Sequence, residues 1–136
     1  RRQRQMCIRD SIMAMQILYT SDFNKISVEE ALKFYDETPV EPSALEFVNG
    51  VIGHLPEIDK IISLSLVNYT IDRLNLVDKA IIRLATYEMM TGTDKRIAMN
   101  EALEITKAYS DQGDHKAAGF NNRLLERIYK NLEESK

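Results

Sequence analysis

Apolar residues recur at helical spacing in nearly every segment of the chain, and no stretch keeps the period of two expected for a strand. The first segment places four residues on one apolar face: Ile8, Ile12, Met15 and Tyr19. A neighbouring stripe of the same helix is polar and includes Arg9 and Gln16, so one side packs while the other stays free to bind. The pattern predicts an all-α fold of about seven helices.

Capping and helix-breaking residues set the predicted boundaries. Ser27 followed by Glu30 forms a capping box that opens a second helix, which must end before Pro39. Asn75 caps a fifth helix, and Gly92 is expected to end it. The other predicted helices cover residues 3–21, 43–54, 57–69 and 97–109, followed by a last helix after the turn at Gly113 and Asp114.

Length and composition indicate one globular domain over residues 1–136. A chain of 136 residues with 44% hydrophobic content is long enough for one core and too short for two. No apolar run reaches the roughly 18 residues of a membrane span, and the start is rich in arginine, so we expect a cytoplasmic protein. The single Cys7 has no partner for a disulfide or a zinc site, which favours a packed side chain.

The net charge of −3 hides an unequal distribution along the chain. Residues 22–59 carry nine acids and two lysines, whereas the first nine residues carry no acid. The arginines of this first segment are Arg1, Arg2, Arg4 and Arg9. A basic arm on an acidic body indicates a local site for a polyanion, and the alternative is a solvated, frayed terminus.

The sequence contains no constellation typical of catalysis. The five glycines are scattered, which excludes a phosphate-binding loop, and His54 and His115 lie far apart without a ligand-spaced partner. Paired acids such as Glu133 and Glu134 sit in polar segments and are interpreted as solvated faces. We therefore expect no enzymatic activity, metal or cofactor.

Two helices carry polar residues at unusual positions. Glu88 falls inside the apolar arc of its helix, so it is either paired within the fold or faces a partner. On the last helix Arg123, Arg127 and Lys130 project together beside Phe120. This arrangement suits a stacked base next to phosphates, although Phe120 is also the natural first core residue of that helix.

Several motifs together resemble the NusB family. The blocks DKAIIRLATYEMM at 78–90 and IAMNEALEITKAY at 97–109 are similar to the most characteristic core of that family. AMQILY at 14–19 resembles its A-x-Q-x-L-Y run, and LSLVNYTIDRLNLVD at 64–78 is also similar. The resemblance covers almost the whole chain and is weakest from about 22 to 57.

The resemblance implies two perpendicular three-helix bundles and a role in transcription antitermination. Such proteins bind boxA-type RNA of ribosomal RNA leaders with a small-subunit ribosomal protein acting as Nus factor E, and join the RNA polymerase complex. We expect single-stranded RNA and a monomer or homodimer. The helix with Tyr87 and Glu88 is expected to contact the ribosomal protein. The expected RNA-binding residues are Arg1, Arg2, Arg4, Arg9, Gln16, Tyr19, Lys107, Asp114, Phe120 and Arg123.

The start of the last helix departs from the family pattern K-F-V-N-G-x-L. Here Lys116 is followed by AAG and then by Phe120, with Arg123 in place of glycine. Two interpretations stay open: Arg123 adds a phosphate contact, or it marks a divergent paralogue with altered RNA affinity. A solvated face is likewise the default for Lys107, which shares a polar stripe with Asn100. Alternative functions are an RNA-targeting module related to the start of ribosomal RNA cytosine methyltransferases, and a protein-interaction bundle.

Overall fold

The computed structural model of the chain describes residues 8–35 and 39–135, and the regular structure within these ranges is entirely helical. Arg1, Arg2, Arg4 and Cys7 lie outside the described residues. The described ranges contain seven α-helices, which confirms the predicted fold class and helix number. They are α1 (Ile8–Asn24), α2 (Val28–Leu32), α3 (Pro42–Gly53), α4 (Leu55–Ser65), α5 (Leu76–Met90), α6 (Lys95–Tyr109) and α7 (Lys116–Glu134), with short 3₁₀ turns at Lys33–Tyr35 and Ile71–Arg73.

Two predicted caps are confirmed at the level of individual hydrogen bonds. The backbone N–H of Glu30 donates to Ser27 Oγ at 3.1 Å, and the N–H of Ser27 donates to Glu30 Oε1 at 3.3 Å. At the start of α5, Asn75 Oδ1 accepts from the N–H of Val77 at 2.8 Å. Each cap satisfies a backbone donor that the first helical turn leaves unpaired, which is why these residues begin helices.

The predicted helix at 57–69 was wrong at its end, because α4 stops at Ser65. The next residue, Leu66, is extended, and Asn68 takes a positive φ of 56°. Two side chains of α7 hold this end in place: Arg127 Nε donates to the Ser65 carbonyl at 2.7 Å, and Asn131 Nδ2 donates to Ser65 Oγ at 2.8 Å. Tertiary contacts therefore end α4 one turn before the apolar pattern does.

Helix α5 is central to the packing, since it contacts α1, α3, α4, α6 and α7. On one side α1 packs against α2 and α3, and on the other α7 packs against α4 and α6. Fully buried side chains from both sides meet those of α5 in one core cluster, among them Ile17, Ile58, Ile62, Ile81, Ile82, Leu124, Leu125 and Ile128. The perpendicular crossing of the two groups stays a prediction.

A three-way ion cluster fastens α5 to its neighbours on both sides. Arg83 of α5 donates from Nε and Nη2 to the two carboxylate oxygens of Asp59 on α4, at 3.0 and 2.9 Å. Its Nη1 lies 3.1 Å from Asp22 Oδ2 on α1. Planar guanidinium groups suit such forked contacts, so one side chain joins three helices.

Within the described ranges, no helix has both the length and the apolar character needed to cross a membrane.

Candidate nucleic-acid interface

Helix α1 presents the first group of predicted RNA-binding residues. Arg9 is exposed, and Gln16 is half-buried on the same stripe, seven residues further on. Tyr19 stacks on Phe23 one turn later, with ring centroids 5.5 Å apart and an interplanar angle of 19°. Because the Phe23 side chain is 61% exposed, this end of α1 offers an aromatic surface beside a polar stripe. Phe23 was missed by the sequence analysis, although its spacing of four from Tyr19 was the available signal.

The turn between α6 and α7 carries the second group, and its shape is held by carboxylates. Asp111 Oδ1 accepts from the backbone N–H groups of Gly113 and His115, at 2.8 and 3.0 Å. Desolvation raises the pKa of Asp111, but the hydrogen bonds from the backbone N–H groups outweigh it and hold this pKa below its usual range. Asp114 is exposed and accepts from the N–H of Lys116 at 3.0 Å, so this predicted RNA-binding residue also caps the first turn of α7. Lys107 is exposed near the end of α6.

Phe120, at the opening of α7, is half-buried and packs against the core. Its ring centroid lies 5.6 Å from that of Tyr69 in a tilted arrangement. Arg123 is exposed one turn later. Of the three residues in the predicted cationic stripe, Arg123 and Lys130 are exposed, whereas Arg127 is half-buried and its Nε donates to the Ser65 carbonyl at 2.7 Å.

A buried polar network fixes the opening of α7 against α5 and α6. Asn121 is fully buried, and its Nδ2 donates to Asp78 Oδ1 and to Thr106 Oγ1, both at 3.1 Å. Asp78 Oδ1 also accepts from Ser110 Oγ at 2.6 Å. This network was not predicted from the sequence, although an Asn inside the apolar stripe of the last helix was a signal for it. The network holds the turn that carries Lys107 at one end and Phe120 at the other.

Glu88 is buried, as its position in the apolar arc predicted, with 6% of its surface exposed. It lines a narrow crevice between α5, α6 and α1 together with Glu101 and Ser11, with room for about one water molecule. Desolvation and the charge of Glu101 raise the pKa of Glu88 to about 8. Desolvation also raises the pKa of Glu101. The hydrogen bond from Ser11 Oγ at 2.9 Å lowers this pKa, and the charge of Glu104 raises it further.

The surroundings of Glu88 bear on whether its carboxylate is paired within the fold or faces a partner. Within the described residues its side chain has no cationic partner, and it faces a second carboxylate instead. An ion pair inside this part of the fold is therefore not what holds Glu88 in the apolar arc. Contact of Glu88 with the ribosomal protein stays a prediction.

Tyr87, the second predicted partner residue, packs α5 against α3. Its ring centroid lies 5.7 Å from that of Phe47 and 5.6 Å from that of His54. The Tyr87 hydroxyl lies directly over Gly50, where any Cβ would overlap it. Glycine at this position lets the Tyr87 ring approach the α3 backbone closely. Because Tyr87 is half-buried, only its exposed edge is available to a partner.

The sequence profile of the NusB family matches residues 9–130, from the first turn of α1 to near the end of α7. This chain belongs to the NusB family. The match includes the described members of the candidate interface: Arg9, Gln16, Tyr19, Lys107, Asp114, Phe120 and Arg123. It also includes Tyr87 and Glu88, so the resemblance drawn from the motifs is confirmed.

Individual NusB relatives are similar over most of their length. The transcription antitermination protein NusB of Bacillus subtilis (strain 168) is 40% identical over 125 residues, which are 90% of this chain and 93% of the relative. The corresponding protein of Listeria innocua serovar 6a is 37% identical over 117 residues, covering 85% of this chain and 89% of the relative.

Solved NusB structures share the fold. The NusB structure from T. maritima superposes with a TM-score of 0.77 at 30% identity, covering 90% of this chain and 89% of that one. A chain from a crystal structure of the antitermination factors NusB and NusE in complex with dsRNA gives a TM-score of 0.75 at 28% identity. That comparison covers 91% of this chain and 97% of the other.

Proposed function

We propose that the chain is a transcription antitermination factor that binds boxA-type RNA of ribosomal RNA leaders together with a NusE-type ribosomal protein, within an RNA polymerase complex. The observation that carries this proposal is the similarity to the NusB chain crystallised with NusE and dsRNA, which extends over 97% of that chain. Such a function needs binding surfaces and no catalytic group, so the proposal includes no enzymatic activity and no cofactor. Binding of single-stranded boxA-like RNA stays part of the proposal.

We assign the RNA surface to exposed groups of α1 and of the α6–α7 turn. Exposed cations such as Arg9, Lys107 and Arg123 suit phosphates, because an exposed side chain meets a phosphate without a large desolvation cost. The stacked pair Tyr19 and Phe23 offers an aromatic face to a base. The other members of this proposed surface are Arg1, Arg2, Arg4, Gln16, Asp114 and Phe120.

We assign the ribosomal-protein contact to the surface around Tyr87 and Glu88. The crevice at Glu88 is narrow, so only a small group or the tip of one side chain reaches the carboxylate. A cationic tip would favour the charged form of Glu88 and displace its proton. Binding of the ribosomal protein is then expected to release protons at neutral pH, which calorimetry in buffers of different ionisation enthalpy measures.

Replacing Arg9 or Lys107 by Ala is expected to weaken RNA binding a few-fold. Each variant should also lower the slope of log affinity against log salt by about 0.7 to 0.9, because one phosphate contact is lost. Fluorescence titrations of labelled RNA at four salt concentrations measure both quantities.

Arg96→Ala is the matched control for these variants. Arg96 lies on α6 as Lys107 does, about 16 Å away along the axis, and its side chain is 87% exposed. We expect its affinity and salt slope to equal those of the wild-type chain. Equal losses in all three variants would indicate a diffuse charge effect and contradict the assigned surface.

A further inference from the structure

The segment between α4 and α5 holds an exposed arginine in a defined position. The Arg73 guanidinium carbon lies 4.9 Å from the centroid of the Tyr69 ring. The Tyr69 hydroxyl donates to the Arg73 carbonyl at 3.0 Å, across the short 3₁₀ turn Ile71–Arg73. Two contacts between the same two residues therefore keep the guanidinium over the ring.

This pair continues directly into the opening of α7. Tyr69 meets Phe120 at a centroid distance of 5.6 Å and an interplanar angle of 59°. Arg73, Tyr69 and Phe120 form a continuous group, which we call the aromatic row. The aromatic row joins the α4–α5 segment to the proposed RNA surface on α7.

The charge of Arg73 is not neutralised by an ion pair with any described residue. Its only acidic neighbour along the chain is the exposed Asp72. Arg127, in contrast, is bonded to the Ser65 carbonyl. Arg73 is exposed on the α4–α5 segment, and Arg123 is exposed on α7 one turn after Phe120.

We propose that Arg73, seated on Tyr69, is an RNA-binding residue, and that the RNA surface extends from the opening of α7 across the α4–α5 segment. This inference rests on the proposed function. A guanidinium lying over an aromatic ring keeps N–H donors at its edge for a phosphate and its outer face for a base. Because the side chain is already held, little of its rotamer freedom is lost when RNA binds.

The test compares three variants in binding a boxA-type single-stranded RNA oligonucleotide in the presence of the NusE-type ribosomal protein. Arg73→Gln is expected to bind about fivefold more weakly and to lower the salt slope by about 0.7, as one phosphate contact is lost. Arg73→Lys keeps the charge and therefore most of the salt slope. It is expected to lose affinity, because an ammonium group neither makes bidentate hydrogen bonds to a phosphate nor stacks on a ring. Arg96→Gln is the control and should behave as the wild-type chain.

The outcomes separate this inference from the function on which it rests. If the wild-type chain binds no RNA, the proposed function fails and the inference with it. If the wild-type chain binds RNA and Arg73→Gln shows the same affinity and slope, the function stands and the inference is overturned. If Arg73→Gln loses binding of the ribosomal protein but keeps its RNA affinity, the inference is overturned as well.

A measurement on the wild-type chain keeps the inference testable should Arg73→Gln unfold. RNA carrying 5-bromouridine is irradiated in the complex, and the cross-linked peptides are identified by mass spectrometry. We expect adducts at Tyr69 or elsewhere within residues 66–75, in addition to those on α1 and α7. Adducts confined to α1 and α7 would overturn the inference.

Discussion

The Glu88→Gln variant is expected to lose much less stability than the wild-type chain as the pH rises from about 5 to about 8. Burial beside Glu101 raises the pKa of Glu88 from 4.5 to about 8, so the folded chain keeps a proton that the unfolded chain releases within this window. The favourable contribution is fully present below pH 4.5 and is lost as the pH rises through the folded pKa. One such group changes the free energy of unfolding by at most about 1.4 kcal/mol per pH unit.

Gln carries no titrating proton and keeps a similar shape, so the variant should be more stable than the wild type at pH 8 by about 2 to 4 kcal/mol. Near pH 5 the two should be nearly equal. Urea unfolding at pH 5, 6, 7 and 8 measures the difference, with Glu46→Gln on the exposed face of α3 as the control. Parallel pH profiles for wild type and Glu88→Gln would contradict the burial argument.

Replacing Arg83 by Ala is expected to lower the free energy of unfolding by about 2 to 3 kcal/mol at neutral pH. The Arg83 side chain is 12% exposed, and its removal leaves the Asp22 and Asp59 carboxylates close together without their shared cation. Because both carboxylates keep about a third of their exposure, the loss stays below that for a fully buried pair. Thermal and urea unfolding measure it.

Two further variants show whether the loss comes from the forked contacts of Arg83. Arg83→Lys keeps the charge but loses the two parallel bonds to Asp59, so we expect an intermediate stability. Arg96→Ala removes an exposed cation that lies 3.9 Å from Asp94, and should change stability by less than about 0.5 kcal/mol. An Arg83→Ala variant as stable as Arg96→Ala would show that the cluster contributes little.

The features that the sequence predicted correctly depend on residues close together in the chain. The capping box joins Ser27 to Glu30, and the cap at α5 joins Asn75 to Val77, so each was visible as a short motif. The burial of Glu88 followed from the helical period alone. Local hydrogen bonds and periodicity are properties of one helix, and no tertiary information is needed to predict them.

The features that sequence reasoning missed depend on distant parts of the chain. Arg83 and Asp22 are 61 residues apart, and Arg127 reaches back 62 residues to end α4 at Ser65. The contact of Phe120 with Tyr69 likewise exists only because α7 packs against α4. The sequence shows that these side chains are polar or aromatic and which helix face each occupies. Only the tertiary packing determines which partner each one contacts.

RNA binding in cooperation with a ribosomal protein can be measured in one titration. Labelled boxA-type RNA is titrated with the wild-type chain, with and without the NusE-type ribosomal protein, over a series of salt concentrations. We predict that the chain binds the RNA, that the ribosomal protein tightens binding, and that log affinity falls linearly with log salt. Binding of the ribosomal protein without RNA binding would instead indicate a protein-interaction bundle, and RNA binding that is equally tight without the ribosomal protein would indicate an independent RNA-targeting module. Either result would contradict the account.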